Sequence, residues 1–178
     1  MRVPPLPPAP NESMESAACD LNHLYGQVGP SLRAYFRQYQ ILGDAADDLL
    51  QDTFFRAVRN PGRLRDSVSP KAYLFGIARN VRRDALRRRR PAVELPEEMP
   101  APEPAAEDER LEDVRAAIGD LPPPQREALL LKLRHELSYL EIAEVLDIPI
   151  GTVRSRLHQA VLHLKLQLNP PARPDHVP

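Results

Sequence analysis

Apolar positions recur at helical spacing along most of the chain, and nowhere do they alternate as a half-buried strand requires. Leu21, Leu24, Tyr25 and Val28 begin one stripe and Leu32, Tyr35, Phe36 and Tyr39 continue it, with a break predicted at Gly29-Pro30. After Gly43, Asp44 and Asp47 stand at the cap and third positions of a second helix, as in a capping box, and Asn60-Pro61-Gly62 stops it. Phe54 falls on its core side. A polar, basic loop is expected from Arg63 to Val68. Ser69-Pro70 then opens a third helix, with serine as cap and proline in the first turn. At about 100° per residue, Leu74, Ile77, Ala78, Val81 and Ala85 share one face, while Tyr73, Asn80, Asp84 and Arg87 share another. This helix ends in Arg87-Arg88-Arg89-Arg90, just before Pro91.

Helical spacing resumes with Leu111, Val114 and Ile118, and Pro122 to Pro124 open a helix that reaches about Glu136. Ser138 and Glu141 form a second capping-box pattern, ahead of a short helix with Ile142, Val145 and Leu146 inward. Asp147-Ile148-Pro149 is the turn, and a long helix follows from Ile150 to Leu168. On that last helix Val153, Leu157, Ala160, Val161, Leu164 and Leu168 form a core arc. Ser155, Arg156, Gln159 and His163 lie within roughly 60° of Thr152, and Arg154 and His158 lie on the flank. Short helix, tight turn and long helix make a helix-turn-helix, whose second helix lies in a major groove with its N-terminal turns against base edges. The bland alternative is an amphipathic helix of a small bundle with a solvated polar face.

The expected fold class is therefore all-α: two small helical modules joined by a flexible acidic, Pro-rich linker, the C-terminal one a helix-turn-helix. The boundaries read as a disordered arm over 1–17, a first module over 18–90, the linker over 91–107, a second module over 108–169 and a disordered tail over 170–178. Charge sharpens this division. The 178-residue chain has a formal net charge of −1, which hides a strong partition. Residues 22–90 hold 14 Lys/Arg against 6 Asp/Glu, a net of +8, whereas residues 91–120 hold 2 against 10, a net of −8. A polyanion meets the local field, so the basic half fits a nucleic-acid partner. With one cysteine, Cys19, no intramolecular disulfide is possible. No apolar run approaches a bilayer span, so no membrane insertion is expected, and the first ten residues lack the apolar core of a secretory signal. A cytoplasmic location is expected. No Gly-rich phosphate loop, nucleophile elbow or zinc spacing occurs, and Cys19 and His23 alone are too few for a metal site. The expectation is no catalytic residue, no metal and no cofactor.

The string LSYLEIAEVLDIPIGTVRSRLH resembles the promoter −35 recognition domain of extracytoplasmic-function (ECF) sigma factors almost position for position. DAADDLLQDTFFRAVRN is similar to the core-polymerase-binding helix of that family, and SPKAYLFGIARNVRRDALRRRR to its −10 recognition helix. The resemblance covers about residues 20–168. It implies a transcription initiation factor that binds core RNA polymerase and directs it to promoter DNA, and that an anti-sigma factor holds in check. By the resemblance, Asp48, Gln51, Asp52 and Phe55 contact core polymerase. Their acidic, amide and aromatic groups suit an Arg-rich partner. Asp44 and Asp47 read better as caps. Tyr73, Asn80, Arg83, Arg87 and Arg88 are the −10 residues: a stacking ring, a base-edge amide and cations for the backbone. The Arg87 to Arg90 run is either phosphate-binding or a basic helix end. Many family members carry Trp where Tyr73 stands and this chain has no Trp, which implies weak wedging and dependence on a good promoter. The loop from Asn60 to Ser69 is a candidate base-capture pocket. Thr152, Arg154, Ser155, Arg156, His158 and Gln159 are the −35 residues. The acidic linker is either a solvated tether or a segment that enters the RNA path of polymerase. Two other readings compete: a free-standing helix-turn-helix regulator whose first module senses or dimerises, and a protein-interaction adaptor.

Overall fold

A computed structural model describes residues 10–39, 45–89 and 109–169. They form eight helices, and no strand occurs among the described residues. The helices are α1 (Pro10–Arg37), α2 (Ala46–Val58), α3 (Pro61–Asp66), α4 (Pro70–Arg89), α5 (Glu109–Gly119), α6 (Pro123–Leu133), α7 (Tyr139–Leu146) and α8 (Ile150–Leu168). The all-α reading holds. The expected linker (91–107) and tail (170–178) lie outside the described residues, as does Arg90.

Three local expectations change. Helix α1 starts at Pro10, inside the stretch expected as a disordered arm, and runs through Gly29-Pro30 without the predicted break. Proline at position 30 removes one N–H, and the carbonyl it would have bonded belongs to Gly26, an exposed position that water reaches. Pro61 does not end the structure. It occupies the first position of α3, where a missing N–H costs nothing and the fixed φ suits a helix, so part of the expected basic loop is helical. Asp44 lies outside the described residues, Ala45 precedes α2 with no side-chain cap, and Asp47 pairs with Arg33 of α1 at 2.6 Å.

The first module packs α1, α2 and α3 around α4. Leu32, Tyr35 and Phe36 of α1 meet Leu50 and Phe54 of α2 and Leu74, Phe75, Ala78 and Val81 of α4, all buried. Each such large apolar side chain contributes about 1.5–3 kcal/mol when fully buried. In the second module α6, α7 and α8 enclose Leu129, Leu131, Ile142, Val145, Val153, Leu157 and Ala160. Val161 and Leu168, placed by periodicity on the core arc of α8, are exposed, whereas Leu164 of the same arc packs against the core.

The two modules are not separate bodies in this structure. Helix α7 packs on α4, and the buried residues of both modules form one continuous cluster. His135, in the turn between α6 and α7, is buried against Tyr35 and Phe75, and its Nδ1 shares a 3.0 Å hydrogen bond with Ser31 Oγ.

Candidate nucleic-acid interfaces and docking face

The helix-turn-helix is set by its caps. Ser138 Oγ accepts from the Glu141 N–H, and the Glu141 carboxylate accepts from the Ser138 N–H at 2.7 Å, so the predicted capping box is formed. Helix α7 ends at Asp147, whose φ of 55° and ψ of 53° lie in the left-handed region that a short polar side chain tolerates. The Asp147 N–H returns to Glu144 and the Ile148 N–H to Ala143, closing the orphan carbonyls as a Schellman-type stop does. Pro149 then starts α8. Ser155 and Gln159 stand exposed on its outer face, Arg154 and His158 are exposed on the flank, and Thr152 and Arg156 are half-buried. Neither Arg154 nor Arg156 is ion-paired among the described residues. His163, which shares that face by angle, is tied instead to Gln125 of α6 at 2.8 Å, so the reading surface ends above it.

On α4, Ser69 caps as predicted: its Oγ accepts from the Ala72 N–H at 3.0 Å. Tyr73 is half-buried, and its hydroxyl donates to the Asn60 carbonyl at 3.1 Å, pinning the entry to α3. Burial raises its phenol pKa although nearby Arg63 opposes the shift, so the ring stays a neutral stacking surface. Two to four turns on, Asn80, Arg83, Arg87 and Arg88 are exposed. An open cleft of about 540 Å³ runs between α3, α4 and α7. Arg63, Asp66, Tyr73, Asn80 and Arg83 line one side, and Glu144 of α7 and Asp147 just past it line the other. The structure brings Tyr73, Asn80 and Arg83 together in this cleft, whereas Arg87 and Arg88 are not among its lining residues.

On α2, Asp48, Gln51 and Phe55 are exposed, and the Arg59 guanidinium covers the Phe55 ring at 4.4 Å. Asp52 is only partly available, because Arg56 binds both of its oxygens at 3.0 and 3.1 Å and reaches on to Asp84 of α4 at 3.0 Å. These two hydrogen-bonded carboxylates raise the Arg56 pKa against the effect of its burial. Asp84, read from periodicity as part of the polar α4 face, therefore ties α2 to α4.

Sequence reasoning missed Arg82. Its side chain is almost fully buried, with the guanidinium 4.3 Å from the Tyr39 ring centre and 3.1 Å from Glu127. The signal was available: position 82 lies four residues past Ala78 and eight past Leu74, within the apolar stripe, but Arg82-Arg83 reads as surface charge. No group of three His, Cys, Asp or Glu suited to a metal occurs among the described residues. No described helix is long and apolar enough to cross a membrane.

Comparison with known proteins decides what this frame belongs to. Residues 24–92 match the family described as Sigma-70 region 2, and residues 111–164 match Sigma-70, region 4, in that order. The chain is 37% identical to the ECF RNA polymerase sigma factor EcfG of Rhodopseudomonas palustris, over 74% of this chain and 75% of that protein. It is 31% identical to SigW of Bacillus subtilis, over 73% of this chain and 80% of that protein. The chain belongs to the ECF sigma factors. As a sigma factor it directs RNA polymerase to promoters, and Sigma-70 region 2 contains α4 while region 4 contains the helix-turn-helix. The fold agrees with solved relatives. The sigma factor RpoE of Bartonella quintana, determined with the anti-sigma factor NepR, superposes with a TM-score of 0.64 at 28% identity, covering 85% of this chain and 98% of that one. CnrH, determined with the cytosolic domain of CnrY, gives 0.60 at 27% identity, covering 89% of this chain and 93% of that one.

Proposed function

We propose that this sigma factor divides its work among three helix faces. The α2 face, through Asp48, Gln51, Asp52 and Phe55, docks on core polymerase. The α4 face, through Tyr73, Asn80, Arg83, Arg87 and Arg88, captures the −10 strand by stacking, base-edge hydrogen bonds and backbone neutralisation. The α8 face, through Thr152, Arg154, Ser155, Arg156, His158 and Gln159, reads the −35 duplex. Functionally, residues 18–90 and 108–169 are the working units, and 91–107 joins them. Polymerase supplies the chemistry, and the sigma factor is not itself an enzyme. It acts in the cytoplasm, and an anti-sigma protein is a fitting partner, since the solved relative RpoE was determined with one bound.

The observation that carries this reading is the grouping of Tyr73, Asn80 and Arg83 on one cleft while Asp48, Gln51 and Phe55 stand on a separate, open face. Run-off transcription with purified core polymerase tests it. Transcripts from a cognate promoter should appear only with this protein added. Specific promoter binding without polymerase, and no transcripts with it, would favour the free-standing regulator instead. Asp48→Lys should abolish co-purification with core polymerase while the helical circular dichroism spectrum is kept. Asp48 is the cleaner site for charge reversal, because Asp52→Lys also breaks the Arg56 network.

A further inference from the structure

After proline, glycine is the least favourable residue in the interior of a helix, and one kept there has a packing or functional reason. Gly76 stands in the middle of α4, yet nothing lies within 4 Å of the place that a Cβ would occupy. Close packing therefore does not account for it. Gly26 and Gly151 are equally unobstructed, but both are exposed at the outer surface. Gly76 is half-buried, and it lines the open cleft of about 540 Å³ beside α4.

At about 100° per residue, Gly76 lies within roughly 60° of Tyr73, Asn80 and Arg83, with Tyr73 one turn before it and Asn80 one turn after. Cα–Cβ bonds tilt toward the N-terminus of a helix. Tyr73 accordingly leans away from Gly76, and its hydroxyl reaches the Asn60 carbonyl at 3.1 Å. The side chain of Asn80 leaves its backbone in the direction of Gly76. Between ring and amide runs a strip of helix two turns, or about 10 Å, long, whose floor at Gly76 is bare backbone. Ile77, half-buried beside it, gives the strip an apolar edge. A flat group with apolar faces and polar edges fits such a strip, and a nucleobase has that form. A longer side chain at position 76 would point back toward Tyr73 and fill the space. The floor belongs to the first module alone, so it is the same whatever stands across the seam between the modules.

We propose, resting on the assignment of α4 to the −10 strand, that Gly76 is a specificity-determining position. One unstacked base of that strand lies on the bare backbone at Gly76, between the Tyr73 ring and the Asn80 amide, and the missing side chain makes room for a purine. A purine covers more of the strip than a pyrimidine does, so a Cβ added there excludes the larger bases first. The faces for polymerase and for the −35 duplex lie on α2 and α8, and filling position 76 leaves them as they are. Two effects of opposite sign follow from one methyl group: the helix becomes more stable and promoter opening becomes slower.

The test uses the full chain bound to core polymerase, on a promoter pool randomised over the −35 and −10 elements, with the transcribed molecules sequenced. The parent should enrich purines at one −10 position. Gly76→Ala should lower that enrichment at that position alone, and Gly76→Leu should abolish it. On the best promoter of the parent, Gly76→Leu should slow open-complex formation by about tenfold or more, the scale set by one stacked base. Binding to a −35 duplex should change less than about twofold, because no phosphate contact is altered. The thermal midpoint of Gly76→Ala should lie a few degrees above that of the parent. A lower midpoint means that the methyl meets protein, which makes Gly76 a packing residue and overturns the proposal. An unchanged base profile in Gly76→Leu overturns it, as does a change spread evenly over the −10 element or one at a position where the parent has no purine preference. If Gly76→Leu unfolds early, Gly76→Ala carries the same comparison of base profiles. Asn80→Ala separates the proposal from the wider assignment. If it alters −10 selection while the Gly76 variants do not, Gly76 fails alone; if none of them does, the assignment of α4 to the −10 strand fails with it.

Discussion

The two helix faces proposed for DNA, on α8 and on α4, are built from similar parts, arginines with amides and small polar groups, yet they sit in different surroundings. On α8, Arg154 and Arg156 have no ion-pair partner among the described residues, and Ser155, His158 and Gln159 point outward. On α4, Asn80, Arg83, Arg87 and Arg88 are exposed too, but Tyr73 is bound to the Asn60 carbonyl, and the neighbouring Arg79 and Arg82 are bound to Glu127 and Asp84 to Arg56. Position in the fold explains the contrast. Helix α8 leaves a three-residue turn at the edge of its module, and its N-terminal half keeps a broad outer face. Helix α4 is central and packs against α1, α2, α3 and α7, which leaves only a narrow strip for a ligand. A peripheral helix can vary its outer residues freely, whereas each change on a central one also alters packing or an internal ion pair.

The sharpest way to break this comparison is at the centre. Phe75 of α4 is fully buried and touches both Tyr35 of its own module and His135 of the other. Phe75→Ala should cost about 3–5 kcal/mol in urea unfolding. A loss below about 1 kcal/mol would mean that α4 is not the shared keystone of both modules.

Next in size is a pH effect at the seam. Burial, with smaller contributions from Arg134 and Lys71, lowers the His135 pKa from its ordinary 6.5 to about 4. The other groups around the ring, Ser31, Tyr35 and Phe75, bring no charge to it. Above about pH 6.5 the ring is neutral folded or unfolded, and the stability of the seam is complete. As pH falls from there through about 4, the unfolded chain takes up the proton first, and stability declines by up to about 3 kcal/mol. Urea midpoints at pH 7.5 and 5 should show the loss. His135→Gln should flatten it, and an equally steep profile in that variant would assign the slope to other groups.

On the peripheral side, Arg156→Ala should relax preference at one or two base pairs of the −35 element, by roughly 1–3 kcal/mol of discrimination. Arg154→Ala should weaken all duplexes alike and lower the salt slope by about one. Titration against single-base −35 variants at two salt concentrations separates the two arginines, and an exchange of the two effects would rotate the proposed reading face by half a turn. The smallest effect is at Tyr73. Tyr73→Phe keeps the ring but removes the bond to Asn60, for a loss of about 0.5–1.5 kcal/mol in stability. Tyr73→Ala and Asn80→Ala should instead slow open-complex formation, with rescue on a pre-melted template. Equal loss on melted and duplex templates would remove both from strand capture.

What could be read from the sequence follows the same division. The second half is governed by local signals: Ser138 with Glu141 and Pro149 after Asp147 mark the helix boundaries there, while the apolar spacing of α8 holds at Val153, Leu157 and Ala160 and fails at Val161 and Leu168. The first half was read well where caps were local, at Ser69 and Pro70, and less well where long-range packing decided. Pro30 is carried inside α1, Pro61 starts α3 where a stop was expected, and Asp47 turns from a cap to an ion pair. Arg82 and Glu127 were the least visible, because each looks like ordinary helix-surface charge until the other module is placed beside it. Among the candidate site residues, exposure agreed with expectation for most. Asp52, Tyr73, Thr152 and Arg156 are the exceptions: all four are half-buried, and the engagement of Asp52 by Arg56 depends on side-chain conformation that spacing does not specify.

The double role of Glu141 has a kinetic consequence. Its bond to the Ser138 backbone lies wholly within the second module, whereas its bond to Ser69 crosses the seam. Were the modules to part, water would replace the serine hydroxyl and the start of α7 would remain capped. Separation would then break side-chain contacts, those of the shared apolar cluster included, without unwinding a helix, a rigid-body step of the kind that runs in microseconds to milliseconds rather than at the pace of refolding.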